Sequence, residues 1–321
     1  MILGALSGAA SAGLYAYAVR SVQRFEDLDL ESIEKAGNTT YVGRVGIHFL
    51  EAGEGAPLIL IHGFGGSTFS FRHTIPELAR HFRVIALDLK GFGLSERPAG
   101  GDYSLTAQAR LVSEFMERLG IRRATVLGHS MGGEVAMRLA VNDPERVERL
   151  ILVDSASGRE VPHRTSGGRF LRPLLPVVAL FTLHSRRFRR LSLRSAVYDP
   201  AYLTPEVLEG YFRPTRIRGH LRGLGELLAS WRNDPPLDPS AIVQPTLVLW
   251  GEEDRWLPVS QGQHMHEQIS GSRMVIIPKA GHLPLEERPE ESNRTIVDFL
   301  RTTGGTSRRR RLETQVILPN R

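Results

Sequence analysis

Residues 125–140 carry the feature that most constrains this chain. Thr125, Val126 and Leu127 read as the end of a buried strand, and Val135 to Leu139 as a helix whose small neighbours let it lie close to a sheet. Between them stands Gly128-His129-Ser130-Met131-Gly132, a G-x-S-x-G sequence. The flanking glycines leave room for a tight strand-to-helix turn in which Ser130 takes strained backbone angles and its hydroxyl stands clear. A serine presented in this way needs partners, and these are expected on loops further along the chain.

The rest of the chain supplies strands to go with that turn. Pro57–Ile61 is a continuous apolar run bounded by Pro and Gly, as expected of a strand buried on both faces. It runs into His62-Gly63-Phe64-Gly65-Gly66, where glycines let backbone N–H groups turn toward a ligand. Residues 41–52 suggest an opening hairpin, and residues 83–88, 149–154, 245–250 and 272–277 give further strands. Helical spacing marks residues 105–119, 205–212, 220–231 and 289–300. Strand rhythm stops for about 85 residues after Ser155, too long a gap for a plain loop in a compact domain.

Four separate motifs, in order over roughly residues 42–301, resemble the α/β-hydrolase fold family, especially its esterase, lipase and C–C hydrolase branches. They are the His62-Gly63 loop, Asp88-x-x-Gly91-x-Gly93-x-Ser95, the Ser130 turn, and Gly251-x-x-Asp254 followed by Gly281-His282. The resemblance implies an α/β fold with a mostly parallel central sheet flanked by helices and a helical cap inserted between strands. The expected division is residues 1–35 as an N-terminal apolar helix and connector, 36–154 and 241–303 as the core, 155–240 as the cap, and 304–321 as a basic flexible tail. The implied catalytic set is Ser130, Asp254 and His282, with backbone N–H groups of Phe64 and Met131 as oxyanion donors. Asp154 is the reserve acid, since some relatives carry theirs after that strand, whereas Asp88 is expected to hold its own loop together.

Ser130, acid, histidine is the chain order of α/β-hydrolases. The chemistry implied is attack by Ser130 with His282 as base, Asp254 fixing the imidazole tautomer, and release of an acyl-enzyme by water. It calls for no metal or organic cofactor. The dehalogenase and epoxide hydrolase branches carry a carboxylate where this chain has Ser130, which sets them aside. A carboxylic-ester hydrolase (carboxylesterase or lipase) acting on a small ester or acyl substrate is the preferred expectation. A C–C hydrolase of vinylogous diketone acids and a cofactor-free haloperoxidase or perhydrolase stay open beside it, as does a non-enzymatic binding module of the same fold.

Composition adds limits. A hydrophobic share of 41% speaks against disorder and against a multi-span membrane protein, and the absence of cysteine removes disulfides and thiolate chemistry. Residues 155–240 hold 14 Arg and seven acids, so this stretch carries +7 against +6 for the whole chain. Such a region suits a solvated arginine-rich face, a membrane surface or an anionic substrate; no nucleic-acid motif accompanies it. Its residues 174–183 are strongly apolar, fit either for lining an acyl pocket or for cap core. Residues 1–19 carry no charged side chain and as a helix measure about 28 Å, enough for the hydrocarbon core. With Arg20 and Arg24 following, a membrane-associated protein with its catalytic part on the cytoplasmic side is one expectation, and a cytoplasmic protein with that helix packed on the protein or a partner is the second. An exported protein with a cleaved signal is the least favoured, since the segment lacks the usual opening Lys or Arg. Residues 28–35 read as a short acidic connector.

Overall fold

The opening hairpin is buried more continuously than the alternation in its sequence suggests, since Gly46, Ile47, His48 and Phe49 of its second strand are all buried. Strands β1 (Asn38–Val42) and β2 (Val45–Ala52) pair antiparallel, with Asn38 opposite Phe49 and Val42 opposite Val45. The structure is a computed structural model, and it describes residues 24–157, 186–231 and 234–302. Six further strands follow: β3 (Pro57–Ile61), β4 (Arg83–Leu87), β5 (Ala124–His129), β6 (Val147–Val153), β7 (Thr246–Gly251) and β8 (Arg273–Ile277). They form one sheet in the order β1-β2-β4-β3-β5-β6-β7-β8, parallel from β4 to β8 and antiparallel where β2 meets β1 and β4.

The apolar run of β3 has no polar alternation because both faces are covered. Ile59 and Ile61 join a core with Phe115, Val126 and Val135, while Leu58 and Leu60 join a second core with Leu127, Phe299 and Leu300. The helices that close these layers are α1 (Ile75–Leu78), α2 (Leu105–Arg118) and α3 (Met131–Asn142) before β6 and, at the end of the chain, α7 (Val259–Gln268), α8 (Pro284–Glu287) and α9 (Pro289–Thr302). Between β6 and β7 lie α4 (Arg186–Ala196), α5 (Pro205–Phe212) and α6 (His220–Trp231). The last two coincide with the helical spacing of the sequence; α4, whose first five residues include four arginines, does not stand out as a helix there.

Strand order reverses between β3 and β5, and parallel sheets bind ligands at the carboxyl ends beside such a switch. The His62 loop leaves β3 at that place and Ser130 leaves β5. Residues 26–28, which lead into the expected connector 28–35, are docked on the segment that opens α6. The Glu26 carboxylate accepts the N–H groups of Gly219 (2.8 Å) and Leu221 (2.7 Å) at the start of α6, and Leu28 exchanges backbone bonds with Arg216 and Arg218. Among the described residues no helix is long and apolar enough to cross a membrane. The candidate membrane segment 1–19, the apolar stretch 174–183 and the basic tail 304–321 all lie outside the described residues.

Candidate active site

Ser130 sits between β5 and α3 with φ 53° and ψ −120°. A non-glycine residue there costs on the order of 1–3 kcal/mol and persists only where its surroundings hold it. Its N–H donates to the Val153 carbonyl (2.9 Å), and its own carbonyl accepts from Gly133 (2.9 Å) and Ala156 (3.1 Å). The neighbouring glycine is required by space: a Cβ on Gly132 would lie 2.3 Å from the Ile61 carbonyl oxygen and 2.5 Å from that of His62. The turn is therefore pressed directly against the end of β3.

His282, on the loop after β8, brings Nε2 to 2.9 Å from Ser130 Oγ and Nδ1 to 2.7 Å from Asp254 Oδ2. The other oxygen of Asp254 accepts the N–H groups of Trp256 (2.7 Å) and Leu257 (3.0 Å), which fixes the carboxylate plane. A carboxylate only accepts, so the histidine proton belongs on Nδ1 and the Nε2 lone pair faces the serine hydroxyl. Three residues widely separated in sequence thus form one hydrogen-bonded chain. Asp254 and His282 are buried within it, at 6% and 2% exposure.

The loop after β3 is ordered by a histidine held in the same Nδ1-protonated tautomer. Leu89 N–H donates to His62 Nε2 (3.1 Å), so His62 Nδ1 carries the proton and donates to the Gly63 carbonyl (2.8 Å). Burial pulls the His62 pKa down and keeps the ring neutral. Gly63 lies against the nucleophile, since a Cβ there would stand 3.0 Å from Ser130 Cβ. The next N–H, that of Phe64, meets no protein acceptor among the described residues. Met131 opens α3, where N–H groups precede the first intrahelical bond and the helix dipole favours negative charge.

Sequence reasoning gave no role to three groups that the fold brings here. His129, inside the G-x-S-x-G, packs on His282 with ring centroids 5.0 Å apart and donates from Nε2 to the His282 carbonyl (2.7 Å). Burial, aided by His282, lowers its pKa to about 3. Glu286 accepts from Tyr211 and from Tyr202 (2.8 Å) and pairs with Arg72 (2.6 Å), tying α5 and its neighbours to the histidine loop. Glu287 accepts the N–H groups of Gly281 (2.8 Å) and Tyr198 (2.6 Å). Their partners lie far off in sequence, and no local pattern announces them.

The other two acids considered from sequence are placed differently. Asp88 accepts from Thr68 N–H and Leu94 N–H (both 2.7 Å) and pairs with His48 Nδ1 (2.8 Å), organising its own loop. Asp154 is fully buried with φ 40°; its Oδ1 accepts Gly251 N–H (2.8 Å), while Oδ2 has no conventional hydrogen-bond partner. Burial first, and the Asp254 charge second, push its pKa well above the usual carboxylate range. Asp154, Asp254 and His282 present donor atoms within 4.8 Å of one another, a spacing open to a cation, but His282 Nδ1 is already spent on Asp254.

Above Ser130 opens a cavity of about 380 Å³ lined chiefly by apolar side chains, among them Phe64, Leu193, Leu228, Trp231 and Trp256. One wall carries Arg189, whose Nη1 donates to the Tyr211 carbonyl (3.2 Å) and whose Nε has no partner among the described residues. Burial, unrelieved by any nearby acid, lowers its pKa to about 10.

The chain belongs to the α/β-hydrolase fold family, whose model, described as alpha/beta hydrolase fold, matches residues 56–289. It is a hydrolase of that family. The 2-hydroxy-6-oxo-6-phenylhexa-2,4-dienoate hydrolase of Comamonas testosteroni is 32% identical over 268 residues, covering 79% of this chain and 91% of that one. A solved meta-cleavage product hydrolase from Pseudomonas fluorescens IP01 is 27% identical with a TM-score of 0.72, covering 83% of this chain and 98% of that chain. A membrane phospholipase A described as a bacterial virulence factor is 28% identical with a TM-score of 0.70, covering 95% of this chain and 98% of its own.

Proposed function

We propose that this chain is a carboxylic-ester hydrolase working through an acyl-enzyme. The observation that carries the proposal is the hydrogen-bonded series Ser130 Oγ, His282 Nε2, His282 Nδ1 and Asp254 Oδ2 at the floor of an apolar cavity. His282 takes the Ser130 proton as Oγ attacks the ester carbonyl, and Asp254 stabilises the imidazolium. The N–H groups of Phe64 and Met131 hold the oxyanion, each contributing on the order of 3 kcal/mol. The imidazolium then protonates the leaving alcohol, and a water deprotonated by His282 frees the acid. The aromatic and aliphatic lining suits an acyl chain, and the match to the membrane phospholipase A takes in 95% of this chain, more than the 83% of the meta-cleavage match.

Initial rates on p-nitrophenyl esters of increasing chain length, with Ser130→Ala alongside, test the proposal. A rate that vanishes in Ser130→Ala supports it, and no Ser130-dependent rate on any ester refutes it. Arg189 favours one second activity: a buried cation in the pocket wall suits a substrate carboxylate, and the names of the C–C hydrolase relatives describe carboxylates. Cleavage of a dienoate with no ester turnover establishes that alternative. Membrane association through residues 1–19, with the hydrolase on the cytoplasmic side, belongs to the same proposal. Deleting those residues is expected to shift the protein toward the soluble fraction with turnover intact, and an unchanged distribution refutes that placement.

A further inference from the structure

Helix α4 has two faces of opposite use. Arg189, Leu193 and Ala196, spaced i, i+4 and i+7, form the inward side that lines the catalytic cavity. Arg187, Leu191 and Arg194 follow the same spacing on the outward side, where Leu191 is 65% exposed. The helix contains five arginines and no acid. Arg186 is paired with Glu209, whereas Arg187, Arg190 and Arg194 have no acidic partner among the described residues. Leu191 buries little of its surface in the fold, and the cations around it meet no acid among the described residues.

The surroundings of α4 have the same character. Phe188, Leu228 and Trp256 line the cavity and are also 39–41% exposed, so its mouth has an apolar rim. With Leu191 they are four of the seven large apolar side chains exposed among the described residues. On the other flank of α4 lies a second cavity of about 350 Å³, floored by Leu203, Pro205, Leu208 and Phe212 and edged by Arg187, Arg190 and the ion pair of Arg186 with Glu209, so that its rim keeps a net positive charge. An apolar trough with a cationic edge fits one kind of occupant, an amphiphile with an anionic head.

We infer that the outward face of α4, with the cavity rim and the adjoining trough, docks on an anionic phospholipid bilayer and sets the mouth of the catalytic cavity against it. Apolar side chains enter the acyl boundary while arginines meet the headgroups, as amphipathic cationic helices do at interfaces. A second copy of this chain is disfavoured as the occupant, since it would bring the same unpaired arginines against one another. That the cavity draws its esters from this surface rests on the ester-hydrolase proposal; the docking itself does not.

The test is sedimentation of the full chain with large unilamellar vesicles of phosphatidylcholine, with and without one third phosphatidylglycerol. The comparison is wild type against the combined variant Arg187→Gln, Arg190→Gln, Arg194→Gln. At about 1 kcal/mol per arginine the variant's partition onto anionic vesicles falls by roughly a hundredfold, and the wild-type partition falls with added salt. Turnover of a short water-soluble ester stays unchanged and certifies folding. If the triple variant loses that turnover, the single variants Arg187→Gln and Arg194→Gln replace it, each expected to weaken partition about fivefold. Equal partition of wild type and variants, indifference to phosphatidylglycerol, or retention on a heparin column without vesicle binding overturns the proposal. Arginine-dependent vesicle binding in a protein that hydrolyses no ester sinks the ester reading and leaves the docking standing; ester turnover without such binding does the reverse.

Discussion

Replacing Asp254 by asparagine separates two acids that sequence alone places in competition. The Asp254 oxygen away from the histidine accepts two backbone N–H groups, from Trp256 at 2.7 Å and Leu257 at 3.0 Å. In Asp254→Asn those donors hold the amide oxygen of the new side chain in that position and leave its NH₂ facing His282 Nδ1. The ring then accepts at Nδ1 and carries its proton on Nε2, pointing it at Ser130 Oγ, so the serine loses its base while every atom stays in place. A wrong tautomer in such a series costs about four orders of magnitude in kcat, ~5 kcal/mol. Asp154→Asn should behave differently: burial and the Asp254 charge already disfavour a negative charge at this position, and an amide oxygen still accepts Gly251 N–H, so activity stays within about threefold. Removing a proton-binding acid whose folded pKa is raised also stabilises the protein at neutral pH, with the gain shrinking as pH falls toward the unfolded carboxylate value. The assay is the second-order rate of Ser130 labelling by a fluorophosphonate, which needs no knowledge of the substrate. Asp254→Asn within tenfold of wild type, with Asp154→Asn down a thousandfold, would falsify the assignment and make Asp154 the acid.

His129 makes the fold acid-sensitive. Its folded pKa of about 3 lies below the unfolded value of 6.5, so its share of stability is complete above pH 6.5 and is lost progressively down to about pH 3. By pH 5 that loss is about 2 kcal/mol, and His129→Asn should shrink the difference in unfolding free energy between pH 7.5 and pH 5 by that amount; an unchanged difference counts against the assignment. Gly132→Ala places a methyl carbon 2.3 Å from the Ile61 carbonyl oxygen, and urea unfolding is expected to show several kcal/mol of destabilisation with loss of serine labelling, whereas a stable, labelled variant means β3 yields more easily than its packing implies. Glu286→Gln leaves the Arg72 guanidinium without its buried partner and should cost about 3 kcal/mol by the same measurement, while less than 1 kcal/mol indicates that water already screens the pair.

The core strands and the nucleophile turn are legible because their causes are local. β3 is buried on both faces, so its apolar run admits no other element, and Gly132 is forced by the carbonyls of the strand it touches. Asp254 and His282 are found by motif position, not by any property of their neighbours in sequence. What sequence hides depends on contacts across the fold. Helix α7 buries only Gly262 and Met265, a footprint too small for helical periodicity; the close approach of Gly262 to the Trp250 ring explains it. Helix α4 reads as a charge run because the surface its inward side covers is supplied by residues from many other segments. Glu26, just ahead of the expected connector, shows no local sign of its role, which is to accept the N–H groups that open α6.

The last turn of α4 does more than close the cavity, since it supports both loops that deliver the triad. The Ala196 carbonyl accepts His282 N–H (2.6 Å), and Ser195 Oγ accepts the indole N–H of Trp256 (2.9 Å), two residues beyond Asp254. Glu287 joins Tyr198 N–H to Gly281 N–H, and the Trp256 ring packs 5.0 Å from that of His282. Position of the imidazole relative to Ser130 is therefore set partly from the inserted helices and not by the sheet alone. A hydrogen-bonded relay is sensitive to displacements of a few tenths of an ångström, because N–H and O–H bonds weaken steeply with angle. The same helix carries on its outward side the arginines that have no acidic partner among the described residues, so the proposed docking face and the support of the His282 loop share one element. One helix of eleven residues, Arg186–Ala196, thus lines the cavity above Ser130, carries the proposed docking face and supports the loops that hold Asp254 and His282.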